Sequence, residues 1–527
     1  MVNPVGAPQR AEVRLAELVA ALSLGVDLGF GQPMEHVLRQ CVIALRLAER
    51  VGLDEQSRSV VYYAALLVNV GCHADAHEQA KWFGDDIALK AGKYDHEMHG
   101  VRAAAAAIRL VGAGNPPLHR LRVGLEFALF GHREVDGMLE QHAALARVFA
   151  RQLGLSDAVQ DAIGAAYEQW DGRGWPGRRK GDGIPIASRL AQLAEFVEVA
   201  HRVGGVQAAT VLARKRGGSQ FDPALSAILC EDAAAILSGL ESARTWDAVI
   251  AAEPALRVTL SGEGFDAALV AVADFVDLKS PYTLGHARAV ADLAAEAGAQ
   301  LGLGPSDTCL LRRAGLVHDL GRLGVSNSIW DKRGPLGAGE WERVRMHPYL
   351  TDRMLHQSPS LAPLGVIAVQ HRERLDGSGY PRGLSGAAIS EPARILGAAD
   401  AYQSMREPRP HRPALSADEA AAELRTDARA GRLDANVVEA VLAAAGHRVV
   451  RRREGPAGLT AREVDVLRLL ARGLSSKEIA TRLVISPKTA RNHIEHIYAK
   501  IGASSRVTAS LFAMQQGLLR AEEHVGP

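Results

Sequence analysis

Histidines and aspartates recur in the second half of the chain at spacings that suit a metal site. Residues 316–325 read LVHDLGRLGV, and residues 371–381 read HRERLDGSGYP. The adjacent pair His318-Asp319 offers a neutral imidazole and a carboxylate to one metal ion, and the carboxylate can bridge to a second ion. A metal pair lowers the pKa of bound water and clamps a phosphate for in-line attack. The pattern therefore predicts metal-dependent chemistry at a phosphate ester.

Further residues of the same types could complete a metal site. They lie on other predicted helices, before and after the His-Asp pair. The full set of candidate metal ligands is His286, His318, Asp319, His347, His371 and Asp400.

These residues resemble the HD-GYP family of metal-dependent phosphohydrolases, over roughly residues 263–446. The resemblance rests on SPYTLGH at 280–286, the His-Asp pair, DGSGYPRGLSG at 376–386 and ARILGAADAY at 393–402. It implies a helical bundle that binds one or two divalent ions, iron or manganese, and hydrolyses cyclic di-GMP, although another cyclic dinucleotide or phosphate ester would fit the same residue types. The expected substrate loop contains Gly377, Gly379, Tyr380 and Pro381.

The sequence departs from the family pattern at two positions. The second of two adjacent histidines is Arg372, and the lysine after the His-Asp pair is Arg322. The first change removes an expected metal ligand. The second keeps a cation that can hold phosphate, but not as a compact point charge. We expect Asp319, Arg322 and Arg372 to be the catalytic residues.

The chain repeats itself. LLVNVG at 66–71 matches LVHDLG at 316–321, and EHVLRQ at 35–40 matches GHARAV at 285–290, both at an offset of 250. The segment at 170–190 matches 375–395 at an offset of 205, so the first copy holds 45 extra residues. A repeat of this length indicates a duplicated domain.

The first copy has lost most of its candidate ligands. His36 and His142 keep their places, whereas the other positions carry Val68, Asn69, Ala166, Tyr167 and Glu195. We therefore predict a degenerate, non-catalytic copy that serves as a scaffold, a dimerisation surface or a ligand sensor. The run CHADAH at 72–77 could bind a metal through His73, Asp75 and His77, although a polar loop is the plainer interpretation.

The C-terminal segment carries explicit helix signals. Thr460 with Glu463 and Ser475 with Glu478 predict capping boxes, Ser486-Pro487 predicts a helix start, and Gly502 a left-handed stop. Two short helices joined by Val484-Ile485 would form a helix-turn-helix. Apolar residues recur at helical spacing at Val464, Leu467, Leu470, Ile479, Leu483, Ile494, Ile497 and Ile501.

Residues 459–520 resemble the LuxR/NarL-type DNA-binding domain. The resemblance implies a four-helix domain that binds promoter DNA as a homodimer, with helix 487–501 in the major groove. Residues 446–520 hold 14 lysines and arginines against 5 acidic residues, although the whole chain is only +1. Basic charge is thus concentrated where DNA would be met. The expected DNA-facing residues are Lys488, Thr489, Arg491, Asn492 and Glu495.

Composition bounds the architecture. A chain of 527 residues with 47% hydrophobic and 5% aromatic residues suits an all-α protein, and strand-like alternation is scarce. We expect a degenerate HD-type bundle at 13–240, an HD-type bundle at 263–446 and the helix-turn-helix domain at 459–520. A helix-containing segment at 240–264 and a linker at 447–458 join them, with loose tails at 1–12 and 521–527.

Localisation and redox state follow from what the sequence lacks. No stretch approaches 18 apolar residues without charge, and the N-terminus has no signal-peptide pattern, so we expect a cytoplasmic protein that does not bind membranes. The four cysteines have no zinc spacing, and reduced thiols are expected.

The sequence is consistent with two functions. The first is a transcriptional regulator that couples a metal-dependent phosphohydrolase to sequence-specific DNA binding. The second is a DNA-binding regulator whose second copy senses a nucleotide or metal without hydrolysing it. Arg372 separates the two, because it removes one expected ligand.

Overall fold

The computed structural model describes residues 12–94, 108–113, 116–240, 245–254, 257–448, 456–516 and 518–519. Within these ranges the helices are joined by turns and loops, and two short strands, Val13–Arg14 and Thr259–Leu260, pair antiparallel with Val13 opposite Leu260. The all-α prediction is confirmed. The chain forms two compact units, Met1–His447 and Arg448–Pro527. The predicted tails lie almost wholly outside the described residues.

The first unit contains both copies of the repeat. The first copy contributes the α-helices Leu15–Gly29, His36–Val51, Glu55–Leu67, Ala76–Phe83, Asp86–Ala91, Pro117–Glu126, His132–Gln152, Asp157–Gly164, Ile186–Arg216, Pro223–Glu231 and Ala233–Ile236. The predicted helix in the connecting segment is Thr245–Ala251. The second copy contributes Gly262–Asp277, His286–Gln300, Pro305–Val317, Asn327–Trp330, Ala338–Leu355, Ala362–Ala368, Glu391–Arg406, Ala417–Arg429 and Ala435–Ala444.

Short 3-10 and π segments fill several turns. The 3-10 segments are Val70–His73, Gly92–Tyr94, Gly181–Gly183, Leu320–Gly324, Gly386–Ala388 and Pro456–Gly458, and Phe127–Gly131 is a π-helix. None of the described helices is both long enough and apolar enough to cross a membrane. All four cysteines are free.

Equivalent backbone contacts recur in the two copies. Asp27 accepts a hydrogen bond from the Val37 amide at 3.0 Å, and Asp277, 250 residues later, accepts one from the Ala287 amide at 2.9 Å. Both bonds satisfy a free amide in the first turn of a helix. The described structure therefore supports the duplication that the sequence predicts.

Glycines repeat the same correspondence. A Cβ on Gly321 would lie 1.9 Å from the carbonyl oxygen of His347, and one on Gly71 would lie 2.1 Å from that of His142. Only glycine permits so close an approach of two backbones. In each copy, the loop that follows the His-Asp position therefore packs closely against the helix that carries the next histidine. In the first copy the His-Asp position is occupied by Val68-Asn69.

The two copies pack directly against each other. Gly25 of the first helix faces Leu323, and Gly324 faces Leu28, each with less than 3 Å of room for a Cβ. The buried carboxylate of Asp86 accepts hydrogen bonds from the Ser326 hydroxyl and the Asn327 amide, both at 2.8 Å. First-copy residues therefore support the loop that follows the His318-Asp319 pair.

The second unit is a small helical domain. Its helices are Ala461–Ala471, Ser476–Leu483, Pro487–Ile501 and Arg506–Gln515. The eight apolar residues singled out in the sequence are buried or packed against its core. The described residues of this unit therefore form four α-helices, as predicted.

Candidate metal centre

The six predicted ligands come together in the second copy, and five of its helices position them. His286 is the first residue of its helix, and His318-Asp319 follow the end of helix Pro305–Val317. His347 and Asp400 lie within helices, and His371 comes just after helix Ala362–Ala368. All six are at most 2% exposed. Burial of so many titratable groups requires mutual compensation or a bound ion.

The Asp319 carboxylate faces two groups of ligand atoms. Its Oδ2 lies 3.6 Å from His318 Nε2 and 3.9 Å from His286 Nε2. Its Oδ1 lies 3.5 Å from His347 Nε2 and 3.8 Å from His371 Nε2. These are the two clusters of described residues that could hold a metal ion. The two clusters share only Asp319.

Asp400 belongs with the first cluster. Its Oδ1 lies 3.3 Å from His286 Nε2 and 4.0 Å from His318 Nε2. It therefore adds a second carboxylate to that side of the centre.

Backbone carbonyls fix the orientation of three imidazoles. The Nδ1 atoms of His318, His347 and His371 donate to the carbonyl oxygens of Gly315, Val344 and Ala368 at 2.7, 2.5 and 2.7 Å. Because Nδ1 carries the proton, each neutral ring presents the lone pair of Nε2 to the centre.

This arrangement calls for a cation. The Nε2 atoms of His347 and His371 lie 3.4 Å apart, and two lone pairs at that distance repel each other. Asp319 Oδ1, buried beside them, has no hydrogen-bond partner. A divalent ion among these three atoms would satisfy all of them, so the residues fit a metal.

Burial sets the protonation state of these ligands. It lowers the pKa of His347 to about 4 and also lowers the pKa of His318 and His371. Burial alone would raise the pKa of Asp319, but the surrounding imidazoles and Arg322 hold it well below its usual range. Neutral imidazoles and an ionised carboxylate are the forms that bind metals.

His286 is held differently. Burial alone would lower its pKa, but the carboxylates of Asp400 and Glu407 raise it to about 9. Its Nδ1 lies 2.9 Å from Glu407. Sequence reasoning did not single out Glu407, which follows the end of helix Glu391–Arg406 and belongs to no motif. A carboxylate behind a histidine ligand orients the ring and increases its basicity.

Three arginines border the centre. Arg322 Nη1 lies 3.0 Å from Asp319 Oδ2, with its guanidinium 4.1 Å from the Trp330 ring centroid. Arg372 Nη2 lies 3.2 Å from Asp400 Oδ2. Arg409, which sequence reasoning missed, donates to Glu407 at 2.8 Å, and burial together with the positive charge of Arg322 lowers its pKa to about 10. Guanidinium groups so placed can hold a phosphate anion.

The predicted substrate loop is tied to the ligand segment. The Tyr380 amide donates to the Arg372 carbonyl at 3.1 Å, and the Tyr380 ring centroid lies 6.1 Å from that of His347. The Glu373 carboxylate closes the loop by accepting from the Arg382 amide at 2.7 Å. A Cβ on Gly379 would lie 2.3 Å from the Arg374 nitrogen. Gly377 has a φ of 82°, and Pro381 follows Tyr380 in a cis peptide bond.

The first copy retains the positions but not the ligands. Asn69 Nδ2 donates to Glu195 Oε1 at 2.7 Å, so the counterparts of Asp319 and Asp400 remain neighbours. His36 Nδ1 is hydrogen-bonded to the Glu198 carboxylate. The Cys72 thiol lies 2.6 Å from the Tyr167 hydroxyl. Among the described residues, no metal-binding group is found here.

The side chains of the CHADAH run turn to different partners. His73 is buried against Phe275, with 6.1 Å between the ring centroids. Asp75 Oδ2 lies 2.6 Å from His142 Nε2, and His77 Nδ1 lies 2.8 Å from Asp331 of the second copy. The metal interpretation of this run is therefore not supported among the described residues, and its side chains serve packing and pairing.

The helix-turn-helix forms with the predicted caps. Thr460 accepts from the Glu463 amide at 3.2 Å, and Ser486 accepts from the Thr489 amide at 3.0 Å. Ser475 caps the first helix of the motif through a capping box with Glu478, and Gly502 ends the second helix in a left-handed conformation. The predicted DNA-facing residues are all exposed: Lys488, Thr489, Arg491, Asn492 and Glu495.

Comparisons with known families agree with both sites. The HD domain family matches residues 132–225 and 271–437, one segment in each copy. The family described as bacterial regulatory proteins, luxR family, matches residues 457–513.

Similar proteins are known from other bacteria. A 3'3'-cGAMP-specific phosphodiesterase of Vibrio cholerae is 31% identical over 415 residues, which is 77% of this chain and 90% of that protein. A cyclic di-GMP phosphodiesterase response regulator of Xanthomonas campestris is 37% identical over 156 residues, 29% of this chain and 40% of that protein.

A solved structure shares the fold. The crystal structure of a cyclic GMP-AMP-specific phosphodiesterase of Vibrio cholerae superposes with a TM-score of 0.57 at 27% identity. The match covers 83% of this chain and 99% of that one.

Proposed function

Because this chain belongs to the HD-GYP family of HD-domain phosphodiesterases and carries a luxR-family DNA-binding domain, we propose that it hydrolyses a cyclic dinucleotide in its second copy and regulates transcription through its C-terminal domain. The functional domains are residues 13–240, 263–446 and 459–520, of which the first is non-catalytic.

The two-sided placement of Asp319 carries this proposal. One oxygen faces His286 and His318, and the other faces His347 and His371, at 3.5–3.9 Å. A carboxylate so placed can bridge two divalent ions, iron or manganese by the family resemblance. Asp400 would complete the first ion's ligands.

The bound ions would supply a water of lowered pKa and neutralise charge on the reacting phosphate. The chain's own groups do the rest. Arg322 holds Asp319 in place and stacks on Trp330. Arg372 and Arg409 offer cations to the phosphates of the substrate, and the Tyr380 loop closes over His347. Burial of the ligands excludes bulk water, which strengthens each of these interactions.

We infer a 3',3' cyclic dinucleotide as the substrate, with cyclic GMP-AMP as the first candidate and cyclic di-GMP as the second. The relative specific for 3'3'-cGAMP matches over 90% of its length, whereas the cyclic di-GMP phosphodiesterase matches over 40% of its own. We therefore rank cyclic GMP-AMP, the substrate of the relative that matches over most of its length, before cyclic di-GMP.

The ion pair between Arg372 and Asp400 favours a second candidate function. The guanidinium occupies Asp400 Oδ2 at 3.2 Å, and so competes with a metal for that oxygen. In this alternative the second copy binds nucleotide or metal without turnover and acts as a sensor. We favour hydrolysis, because both groups of candidate ligands around Asp319 form without a histidine at 372.

A substrate panel tests the proposal. Full-length protein loaded with manganese or, anaerobically, with iron is incubated with cyclic GMP-AMP, cyclic di-GMP and cyclic di-AMP, and the products are separated by chromatography. We expect linear dinucleotide from cyclic GMP-AMP at the highest kcat/KM. Nucleotide binding without any product would favour the sensor instead.

Matched histidine variants connect turnover to the site. His318→Ala should abolish product formation, because it removes an Nε2 ligand of the first cluster. His356→Ala, an exposed histidine at the end of helix Ala338–Leu355, should leave the rate unchanged. Equal rates in the two variants would place the chemistry elsewhere.

A further inference from the structure

A lysine lies in the first copy where the second copy has its candidate metal ligands. Lys93 Nζ donates to Glu195 Oε1 at 2.7 Å and to Asn69 Oδ1 at 3.1 Å. Glu195 and Asn69 are the counterparts of Asp400 and Asp319. The Tyr94 hydroxyl also donates to Glu195 Oε1, at 2.9 Å. A positive charge thus lies between the same two positions that border the first metal cluster in the second copy.

Aromatic rings surround this ammonium group. Lys93 Nζ lies 5.4–5.8 Å from the ring centroids of Phe30, Tyr94, Tyr167 and Phe196. Each distance falls within the range in which a cation is attracted to the face of a ring. A carboxylate within a set of aromatic rings is the chemistry that recognises organic ammonium groups.

Three substitutions between the copies favour such a cation over a metal. Val68 and Ala166 replace His318 and His371, which removes imidazole nitrogens. Tyr167 replaces Arg372, which puts a ring where the second copy has a positive charge.

The Glu195 carboxylate depends on this cation. It is 1% exposed. Burial alone would raise its pKa, but the Lys93 ammonium and the Asn69 amide hold it below its usual value. Without a cation beside it, a buried carboxylate must either bind a proton or destabilise the fold.

We propose that the pocket of the first copy is a binding site for a primary alkylammonium group, and that Lys93 is its resident occupant. The degenerate copy has exchanged a metal site for an organic cation site. The tethered lysine fills the site at a high effective concentration, so a free amine should bind only when the lysine is shortened.

Chemical rescue tests this site in the full-length protein. Lys93→Ala deletes the atoms of n-propylammonium. We expect its Tm to fall by roughly 5 °C, because a buried charge loses its partner. Added n-propylammonium should raise the Tm again and saturate with concentration. Wild-type protein should not respond, since its site is filled.

Neutral and inorganic compounds provide the controls. n-Propanol has a similar shape without charge, and sodium chloride at equal ionic strength has charge without shape, so neither should restore the Tm of Lys93→Ala. A folded Lys93→Ala protein that ignores propylammonium, or that responds no more than wild type, would overturn the proposal.

A second pair of variants covers the case in which Lys93→Ala does not fold. Lys93→Met keeps most of the side-chain volume but removes the charge, and should lower the Tm. Adding Glu195→Gln to it removes the unpaired carboxylate and should recover at least half of the loss. A double variant no more stable than Lys93→Met would show that the pair is not a coupled cation site, and the proposal would fail.

Discussion

At the scale of single residues, backbone hydrogen bonds determine which ring nitrogen carries the proton in three histidines of the second copy. These imidazoles donate hydrogen bonds from Nδ1 to backbone carbonyls, so their Nε2 lone pairs point toward Asp319. The carboxylate then supplies one oxygen to each side. Local backbone contacts therefore leave three of the four imidazoles ready to bind a metal ion through Nε2.

The family resemblance leads us to expect a histidine where this chain has Arg372, and introducing that histidine tests the role of the arginine. In Arg372→His we expect up to one additional metal ion per chain, because an imidazole replaces a competing cation. We also expect a KM for the cyclic dinucleotide about tenfold higher, since a charge-assisted hydrogen bond to phosphate is worth roughly 1.5–3 kcal/mol. Metal content and steady-state kinetics measure the two effects.

Arg372→Lys is the matched control. It keeps the positive charge, so the metal content should stay at the wild-type level while KM rises less than in Arg372→His. If metal content and KM are both unchanged in Arg372→His, the guanidinium contributes to neither metal exclusion nor substrate binding.

Asp27 should make folding depend on pH. Burial raises its pKa to about 7, above the unfolded value of about 3.9. The folded state therefore binds extra protons, and the associated stability is complete below about pH 4 and lost as the pH rises through 7. Asp27→Asn keeps an acceptor for the Val37 amide without this titration. We expect its free energy of unfolding at pH 8 to exceed wild type by up to about 4 kcal/mol.

Urea denaturation of both proteins from pH 5 to pH 8 measures this difference. Asp54 provides a contrast, because its hydrogen bonds from Ser57 lower its pKa. It is ionised in both the folded and the unfolded state throughout this range, so the difference between Asp54→Asn and wild type should not change with pH. Parallel curves for Asp27→Asn and wild type would show that Asp27 does not titrate in this range.

At the scale of helices, local sequence signals predicted the C-terminal domain almost completely. Capping residues such as Thr460 and Ser475 act on amides three positions away, and a left-handed Gly502 needs no distant partner. The His-Asp pair is identified differently, by its resemblance to a family motif. Helix caps and left-handed helix ends can be predicted from sequence because they depend on interactions between residues a few positions apart.

Other parts of the site depend on contacts between distant segments. Glu407 lies behind His286, 121 residues earlier, and Arg409 reaches the centre from a loop without a motif. Lys93 lies between the matched stretches 66–71 and 170–190 of the first copy, so comparison with the second copy does not single it out. Only tertiary packing brings such groups together, and sequence spacing carries no signal for them.

The recognition helix Pro487–Ile501 should read DNA through two kinds of contact. Asn492→Ala should relax base preference at one position per half-site, at a cost of roughly 1–3 kcal/mol. Arg491→Ala should weaken binding to all sequences and reduce the salt slope by about one if it contacts phosphate. Binding assays on selected and mutated sites at several salt concentrations separate the two.

Glu463 lies on an earlier helix, Ala461–Ala471, and pairs with Lys500 in the last turn of the recognition helix. It supplies the control, because a stable Glu463→Gln should keep the wild-type base preference. We propose that a homodimer reads two half-sites about one helical turn apart. A footprint on a single half-site, unaltered by Asn492→Ala, would contradict this arrangement.

At the scale of the whole molecule, the two copies form one compact unit. Loop Leu320–Gly324, next to Asp319, packs against the first helix of the degenerate copy. The degenerate copy therefore supports the candidate metal centre without contributing ligands to it. The helix-turn-helix domain is a separate unit joined through the predicted linker at 447–458.

We propose that nucleotide and DNA binding are coupled. A ligand shifts a conformational balance only through a difference in affinity for the two states. Linkage then requires that nucleotide and DNA change each other's affinity by the same factor, typically about 5–150-fold. Titration of promoter DNA with and without cyclic GMP-AMP, using His318→Ala to prevent turnover, measures it. Identical DNA affinities in both titrations would mean that the two units are merely tethered.

The central claim is that the second copy is a working two-metal phosphodiesterase despite Arg372. Metal content and cyclic GMP-AMP turnover, measured on the same samples of wild type and Asp319→Asn, test it most directly. We predict about two ions per chain and linear product for wild type, with both lost in Asp319→Asn, because that carboxylate serves both clusters. Wild-type protein that holds two ions yet leaves every cyclic dinucleotide intact would contradict the account.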